Sequence, residues 1–374
     1  MQFSQIYGHT ETKQLLVNSV QAQHVAHAQL FLGGEGSANL ALALAYAQYL
    51  NCEDPQPQDS CGTCSSCTKI SKRIHPDLNF VMPVTKTKDQ SEALSKHFVK
   101  PWRAFLDDSP FQTLNDWMQF IGADNKQGNI AKEESRELIR LTSLKAFEAK
   151  YKVIVVWLPE LLNGAAANAL LKLLEEPPAA TVFLLVTNAA DRILPTILSR
   201  TQLVNVRAFT DAEVIQYLQE KYQVEPERAY QVAQLAEGNL QAARVLSQEM
   251  TSDYFTFFLS WMRLCYNHKF DGVLEQSEDF QKLGRENQKN FLQFALGLLR
   301  KVLLYGVDQQ LITFLPAPEL DFVQKFSKLI HQGNGAQLSQ QLNDAHYHIE
   351  RNAHPKITFL NTSIQIAHLI RPVS

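Results

Sequence analysis

Nothing in this sequence is long and apolar enough to span a bilayer. Its most hydrophobic runs, KVIVVW and TVFLLVT, are strand-sized. The stretch MQFSQIYGHTETKQ lacks the basic-then-apolar layout of a secretory signal, so the chain reads as soluble and cytoplasmic, with no membrane partner. An excess of positive charge is missing as well. Lys and Arg number 35 against 38 Asp and Glu, a formal net charge of -3. That excludes polyanion binding by the surface as a whole and leaves only local basic stretches such as KISKRIHP, Lys69 to Pro76. Internal repeats and low-complexity tracts are absent. Cysteine is scarce, five in 374 residues, yet four of the five fall within sixteen positions.

What is present is enough apolar material, 45% of residues, to bury more than one core, and the length fits two or three domains. The first two hundred residues alternate strand-like and helix-like segments, the pattern of an α/β layer on a parallel sheet. AQLFL (28–32), LNFVMPV (78–84), YKVIVVW (151–157) and TVFLLVT (181–187) are near-continuous apolar runs suited to strands covered on both faces. NGAAANALLKLLEEPP is a strong helix former stopped by Pro177 and Pro178. Residues 85–128 break the rhythm. They read as an insertion, a surface lobe packing its own aromatics. Thr210 followed by Glu213 has the form of a capping box, opening about three short helices over 208–250. From 251 onward the chain reads as all-helical, with Cys265 on an apolar helix face and therefore in its core.

Two stretches carry chemistry. GGEGSANL (33–40) lies between a strand and a helix, where a glycine-rich loop would cradle phosphates. A working loop needs a further glycine, then Lys to neutralise phosphate, then Ser or Thr to hold Mg²⁺. Gly33 and Gly36 are in place, but those three positions hold Ala38, Asn39 and Leu40. The acidic residues that should end the strand KVIVV are missing too. Trp157, Leu158 and Pro159 stand there, and Glu160 lies farther along. ATP hydrolysis by this chain is not expected, and no nucleotide cofactor is expected in the loop. The second stretch holds Cys52, Cys61, Cys64 and Cys67 in the spacing C-x8-C-x2-C-x2-C. Thiols are kept reduced in the cytosol, so four sulfurs in a coreless loop point to a closed, structural Zn²⁺ shell rather than to disulfides. His75 is the only nearby histidine that could alter that set. Arg200, ending LPTILSR, is open to two readings: a guanidinium presented to a neighbouring subunit, or a surface arginine in a local salt bridge.

Taken together, HAQLFLGGEG, the cysteine module after the loop helix, NALLKLLEEPP, LLVTNAADRILPTILSR and HYHIERNAHPKITFL resemble the ATPase-like subunits of bacterial replicative DNA polymerase clamp loaders. Only the 85–128 insertion has no counterpart. The resemblance implies an AAA+ fold: an α/β domain over 1–207 with a RecA-like parallel sheet and the zinc loop 52–67, a small helical lid over 208–250, and an all-α collar over 251–374. It implies a hetero-pentamer with gamma/tau-type ATPase subunits and a delta subunit, acting on the sliding clamp and on primer-template DNA. The family's Ser-Arg-Cys motif maps its serine onto Ser199 and its arginine onto Arg200, which would reach the ATP of an adjacent motor; Thr201 replaces the cysteine. Active relatives carry a lid arginine where GNLQAA has Gln241. Loss of both nucleotide motifs points to the non-hydrolysing, stator-type member, a component of the polymerase holoenzyme that does not itself join nucleotides. An active motor subunit would need Lys at 39 and an acid at 157. A zinc-dependent nucleic-acid module would need a basic loop, but Glu53, Asp54 and Asp59 dominate this one.

Overall fold

A computed structural model describes residues 1–370 except 89, 124–125, 250–253, 310–314, 316 and 331. The described residues form two compact units, Met1–Gln216 with Gly238–Ala242, and Tyr217–Glu237 with the chain from Ala243 onward. Residues 208–250 are therefore shared between them, and the 250/251 boundary lies outside the described residues. No described helix is long and apolar enough to cross a membrane.

The first unit opens with α1 (Thr10–Gln21), β1 (Ala28–Leu32), α2 (Asn39–Leu50), α3 (Ser65–Ser71) and β2 (Leu78–Val81). It continues through α4 (Val99–Asp108), α5 (Leu114–Phe120), α6 (Glu134–Ser143), β3 (Lys152–Trp157), α7 (Gly164–Glu175), β4 (Thr181–Thr187), α8 (Pro195–Leu198) and β5 (Gln202–Asn205). The described strands make one sheet in the order β2-β3-β4-β1-β5, every neighbour parallel. This is the α/β architecture that the AAA+ resemblance implied. β1, β3 and β4 are buried along nearly their whole length, as their unbroken apolar runs require. Every residue of α2 is buried, consistent with a helix that is Ala/Leu-rich on all sides.

Two elements differ from the sequence reading. The strand expected over 78–84 ends at Val81, because Pro83 has no N–H and the Met82 amide donates to Ser95 Oγ instead (3.1 Å); Val84 makes only an isolated bridge to Asn129. The insertion does not keep its aromatics to itself. Trp102 on α4 lies 5.0 Å from Trp117 on α5 and 4.9 Å from Trp157, the last residue of β3. Trp117 Nε1–H donates to the Pro83 carbonyl (2.7 Å). Buried Arg73 also binds the insertion, through the Asp107 carboxylate and the Leu106 carbonyl. The lobe is thus welded to the strand ends it covers.

α9 (Asp211–Tyr222) starts with the expected capping box: the Thr210 amide donates to Glu213 Oε2 (2.9 Å) and the Glu213 amide to Thr210 Oγ1 (3.3 Å). α10 (Pro226–Ala236) and α11 (Leu240–Glu249) follow. The rest of the second unit contains α12 (Tyr254–Tyr266), α13 (Phe270–Lys282), α14 (Arg285–Val307), α15 (Ala317–Phe326), α16 (Gln332–Glu350) and α17 (Pro355–Ile370). Its aromatic centre stacks Trp261 and Phe280 against Phe359 at 4.7 and 4.8 Å, and Trp261 Nε1–H reaches Ser363 Oγ. Cys265 is fully buried there, and burial pushes its thiol up to about 12.

Trp102 is completely buried at the junction of insertion and sheet. Trp102→Ala is expected to cost about 3–5 kcal/mol by cavity formation, read as a lowered urea midpoint. A midpoint within error of wild type would show that the lobe is not coupled to the sheet.

Candidate functional site: a closed phosphate loop, a four-cysteine cluster and Arg200

The loop between β1 and α2 sits at the carboxyl end of a central strand, where open α/β sheets bind ligands. At the lysine position, Asn39 points inward and is only 6% exposed. Its Nδ2 lies within hydrogen-bond distance of the Gly33 carbonyl (3.3 Å), the Thr187 carbonyl (3.2 Å) and Asn188 Oδ1 (2.9 Å), while its Oδ1 accepts from the Leu40 amide (2.8 Å). The two amide hydrogens are fully used inside the protein. The Gly33 amide donates to the Thr187 carbonyl (3.2 Å), drawing the loop onto the end of β4. Ala38 and Leu40 are buried in the helix packing. Gly36 has φ +68°, and a Cβ there would overlap Asn239 Oδ1 at 1.8 Å. The Leu240 amide donates to the Gly36 carbonyl (3.1 Å), so the Gly238–Ala242 strap closes the loop from outside. Gln241 in this strap is buried, its Oε1 without a hydrogen-bond partner among the described residues.

At the end of β3, Trp157 turns into the aromatic cluster, and Leu158 takes a left-handed φ of +56° before Pro159. Glu160 then comes back to the same place. Its carboxylate accepts from Thr187 Oγ1 (2.9 Å) and from the Asn188 amide at a longer 3.4 Å. Burial raises its pKa despite these bonds. Asn39, Thr187, Asn188 and Glu160 therefore form one polar knot over the strand ends. Spacing alone did not bring Glu160 there; the available signal was the Thr-Asn pair ending an apolar strand.

Beside the loop lies a cavity of about 850 Å³, lined in part by His9, Thr10, Gly34, Asn205 and Arg207. His9 precedes α1 with φ +54° and is 2% exposed. Its ring meets Phe209 edge-on at 4.9 Å, and neither ring nitrogen has a partner among the described residues. Burial, aided by the Arg207 charge, lowers its pKa to about 4.

The four cysteines come together at the other end of α2. Cys52 follows its last turn, Cys64 caps α3, and Cys67 lies within α3. All four Sγ atoms lie within 4.8 Å of one another. A tetrahedral ion with bonds of about 2.3 Å needs sulfurs roughly 3.8 Å apart, so the cluster could hold a metal ion after small adjustments. Backbone amides already serve the sulfurs: Cys61 N–H to Cys52 Sγ (3.2 Å), Cys64 N–H to Cys61 Sγ (3.4 Å) and Cys67 N–H to Cys64 Sγ (3.3 Å). The amides of Cys64 and Thr63 pull the Cys61 thiol down, whereas burial pushes Cys67 up. His75 is not part of the set; its Nε2 lies 3.5 Å from Glu148. The neighbouring basic run is largely neutralised, with Lys69 on Glu148 and Arg73 on Asp107. Twelve helical residues separate this cluster from the glycine loop, about 18 Å, too far for an ion here to touch a ligand there.

Arg200 follows α8. Its Nη2 pairs with Glu175 Oε1 at 2.8 Å, and its Nη1 donates to the Thr196 carbonyl (2.9 Å) and Ser199 Oγ (3.2 Å). Its side chain is 36% exposed. Ser199 Oγ–H in turn donates to the Thr196 carbonyl (3.1 Å). Within the single chain, Arg200 is thus a surface arginine in a local pair.

A five-stranded parallel α/β sheet whose glycine loop is held by its own side chains defines the class. The sequence profile of the family described as DNA polymerase III, delta subunit, matches residues 8–210, more than half of the chain, and the chain belongs to that family. The DNA polymerase III subunit delta′ of Escherichia coli K12 is 30% identical over 235 residues, 62% of this chain and 58% of that one. The Pseudomonas aeruginosa subunit delta′ is 32% identical over 180 residues, 48% and 42% of the two chains. The Haemophilus influenzae subunit tau/gamma is 24% identical over 252 residues, 66% and 30%. Each match spans less than two thirds of the relative's own length. Among solved structures, a gamma subunit-related protein of Thermotoga maritima aligns over 97% of this chain and 100% of that one, with 14% identity and a TM-score of 0.36.

His9 makes stability near the loop pH-dependent. With a folded pKa of about 4 against roughly 6.5 when unfolded, the unfolded chain binds the extra proton first. Its stabilising contribution is present above pH 6.5 and is lost as pH falls toward 4, by on the order of 3 kcal/mol. The difference in unfolding free energy between wild type and His9→Gln should slope across that window. Parallel curves would overturn the assignment.

Proposed function

We propose that this chain is the delta-prime-type, non-hydrolysing subunit of a bacterial DNA polymerase III clamp loader. It acts as a stator in a hetero-pentamer with gamma/tau-type ATPases and a delta subunit, and supports ATP-driven loading of the sliding clamp onto primed DNA. The observation that carries the reading is Asn39. Its side chain lacks charge, does not reach outward and is bonded to the loop and β4, so this position offers nothing to a terminal phosphate. Trp157 in an aromatic cluster, where a motor would hold Mg²⁺ through an acid, supports the same conclusion against the motor reading.

In this reading Arg200 acts on a neighbour's ATP. The Glu175 pair that holds it is solvent-exposed, and such pairs are worth roughly 0–1 kcal/mol, so exchanging the carboxylate for a phosphate costs little. Ser199 and the Thr196 carbonyl brace the guanidinium from behind. The four cysteines hold a structural Zn²⁺, a closed shell that fastens the 52–67 loop. That loop is also tied to the N-terminal residues through Asp59, which accepts from the amides of Phe3 and Ser4. We retain the working division into α/β domain 1–207, lid 208–250 and collar 251–374.

The test is DNA- and clamp-stimulated ATP hydrolysis by the reconstituted loader with wild type or Arg200→Ala. The variant should assemble normally by size exclusion and lower hydrolysis at least 10³-fold at the site it faces. Unchanged hydrolysis would leave Arg200 a structural residue. Elemental analysis should find about one zinc per chain, lost in a Cys61→Ser/Cys64→Ser variant together with thermal stability. Full stability in the metal-free protein would overturn the structural role.

A further inference from the structure

The loop that joins α6 to β3 presents large apolar side chains to solvent: Phe147 is 81% exposed and Leu144 57%. A slack loop would fold such residues back onto the surface, but this backbone is held from below. Asp77, 1% exposed, accepts from three successive amides: Phe147 (2.6 Å), Glu148 (2.9 Å) and Ala149 (2.9 Å). Buried Lys152 donates to the carbonyls of Leu141 and Leu144, and Asn51 brackets both backbone groups of Tyr151 at 2.8 and 2.9 Å. Side chains from the end of α2, the approach to β2 and the start of β3 thus fix one short loop in a conformation that holds its apolar residues outward.

We propose that Leu144 and Phe147 form a preorganised apolar knob that docks into a concave apolar pocket, rimmed by carboxylates, on another folded protein. Fixing the loop in advance removes much of the ordering cost of binding, and paired apolar anchors at the centre of a contact carry most of its energy. Phe147 stands almost wholly in solvent, and an exposed side chain of that size calls for a pocket rather than a peptide. Half of the knob is aliphatic. Leu144 has no face on which a base could stack, which favours protein over single-stranded nucleic acid. The surround sets the charge of the partner. Lys145 and Lys150 within the loop are exposed with no carboxylate partner among the described residues, and the loop's exposed acid, Glu148, is paired with Lys69. A second copy of this chain fits poorly. Its apolar groove beside Met262, Phe322 and Phe326 is bordered by Arg263, and the carboxylate that lines it, Asp321, is already paired with Lys325 at 2.7 Å.

The proposal rests on the proposed function only for its choice of probes: purified clamp-loader ATPase subunits, delta subunit, sliding clamp and primed DNA. Benzoylphenylalanine placed at position 147 of the full chain is irradiated in the reconstituted mixture. One protein component should cross-link, at a pocket bordered by Asp or Glu. A Leu144→Ser/Phe147→Ser variant of unchanged melting temperature should bind that component at least tenfold more weakly. Cross-links only to DNA, only to this chain, or to no protein at all would overturn the docking surface, as would unchanged binding by the double variant. Failure of the wild type to co-elute with the ATPase subunits would count against the clamp-loader reading alone.

Discussion

The carboxamide of Asn39 is the point on which the nucleotide end of this fold depends. A lysine at the same place would extend away from the loop, carrying a charge that needs an anion. Asparagine is too short to leave the loop, and its two donors meet the Gly33 carbonyl and the end of β4. The geometry then propagates. With Gly33 drawn onto Thr187 and Gly36 bonded to the strap at Leu240, the loop is held by protein groups at both of its glycines.

A second constraint lies one strand over. An acid at the end of β3 would be tolerable only beside a metal ion or in water. Here that end is covered by the aromatics of α4 and α5, and an unpaired carboxylate in place of Trp157, against Trp102 and Phe105, would face a severe desolvation cost. The tryptophan at the end of β3 and the insertion that covers it are therefore one packed unit. The lobe supplies the apolar surface that the tryptophan needs.

Much of this was legible in the sequence because the signals were local. Near-continuous apolar runs marked β1, β3 and β4, the Thr210–Glu213 box marked the start of α9, and the cysteine spacing marked a cluster whose sulfurs do converge. What escaped was non-local or weakly apolar. β5 is an edge strand with Gln202, Leu203 and Asn205 exposed, so it lacks the burial signature of the others. Glu160 looked misplaced because its return to Thr187 depends on a left-handed turn at Leu158, a residue with no intrinsic preference for that conformation. The partner of Trp157 lies 55 positions earlier in the chain, and no periodicity connects Trp102 to it.

The contrast between Asn39 and Arg200 separates two kinds of polar site in one domain. Around Asn39 the groups are buried and mutually bonded, so displacing any of them exposes an unsatisfied partner at about 1–3 kcal/mol each. Around Arg200 the guanidinium is half-exposed and its carboxylate partner more so, which makes the pair cheap to open and responsive to salt. A residue meant only to stabilise the chain would gain from burial, and one meant to bind outward would be held loosely but aimed. Arg200 has a weak ionic partner at one nitrogen and backbone and hydroxyl contacts at the other, which fix its direction without sealing the charge.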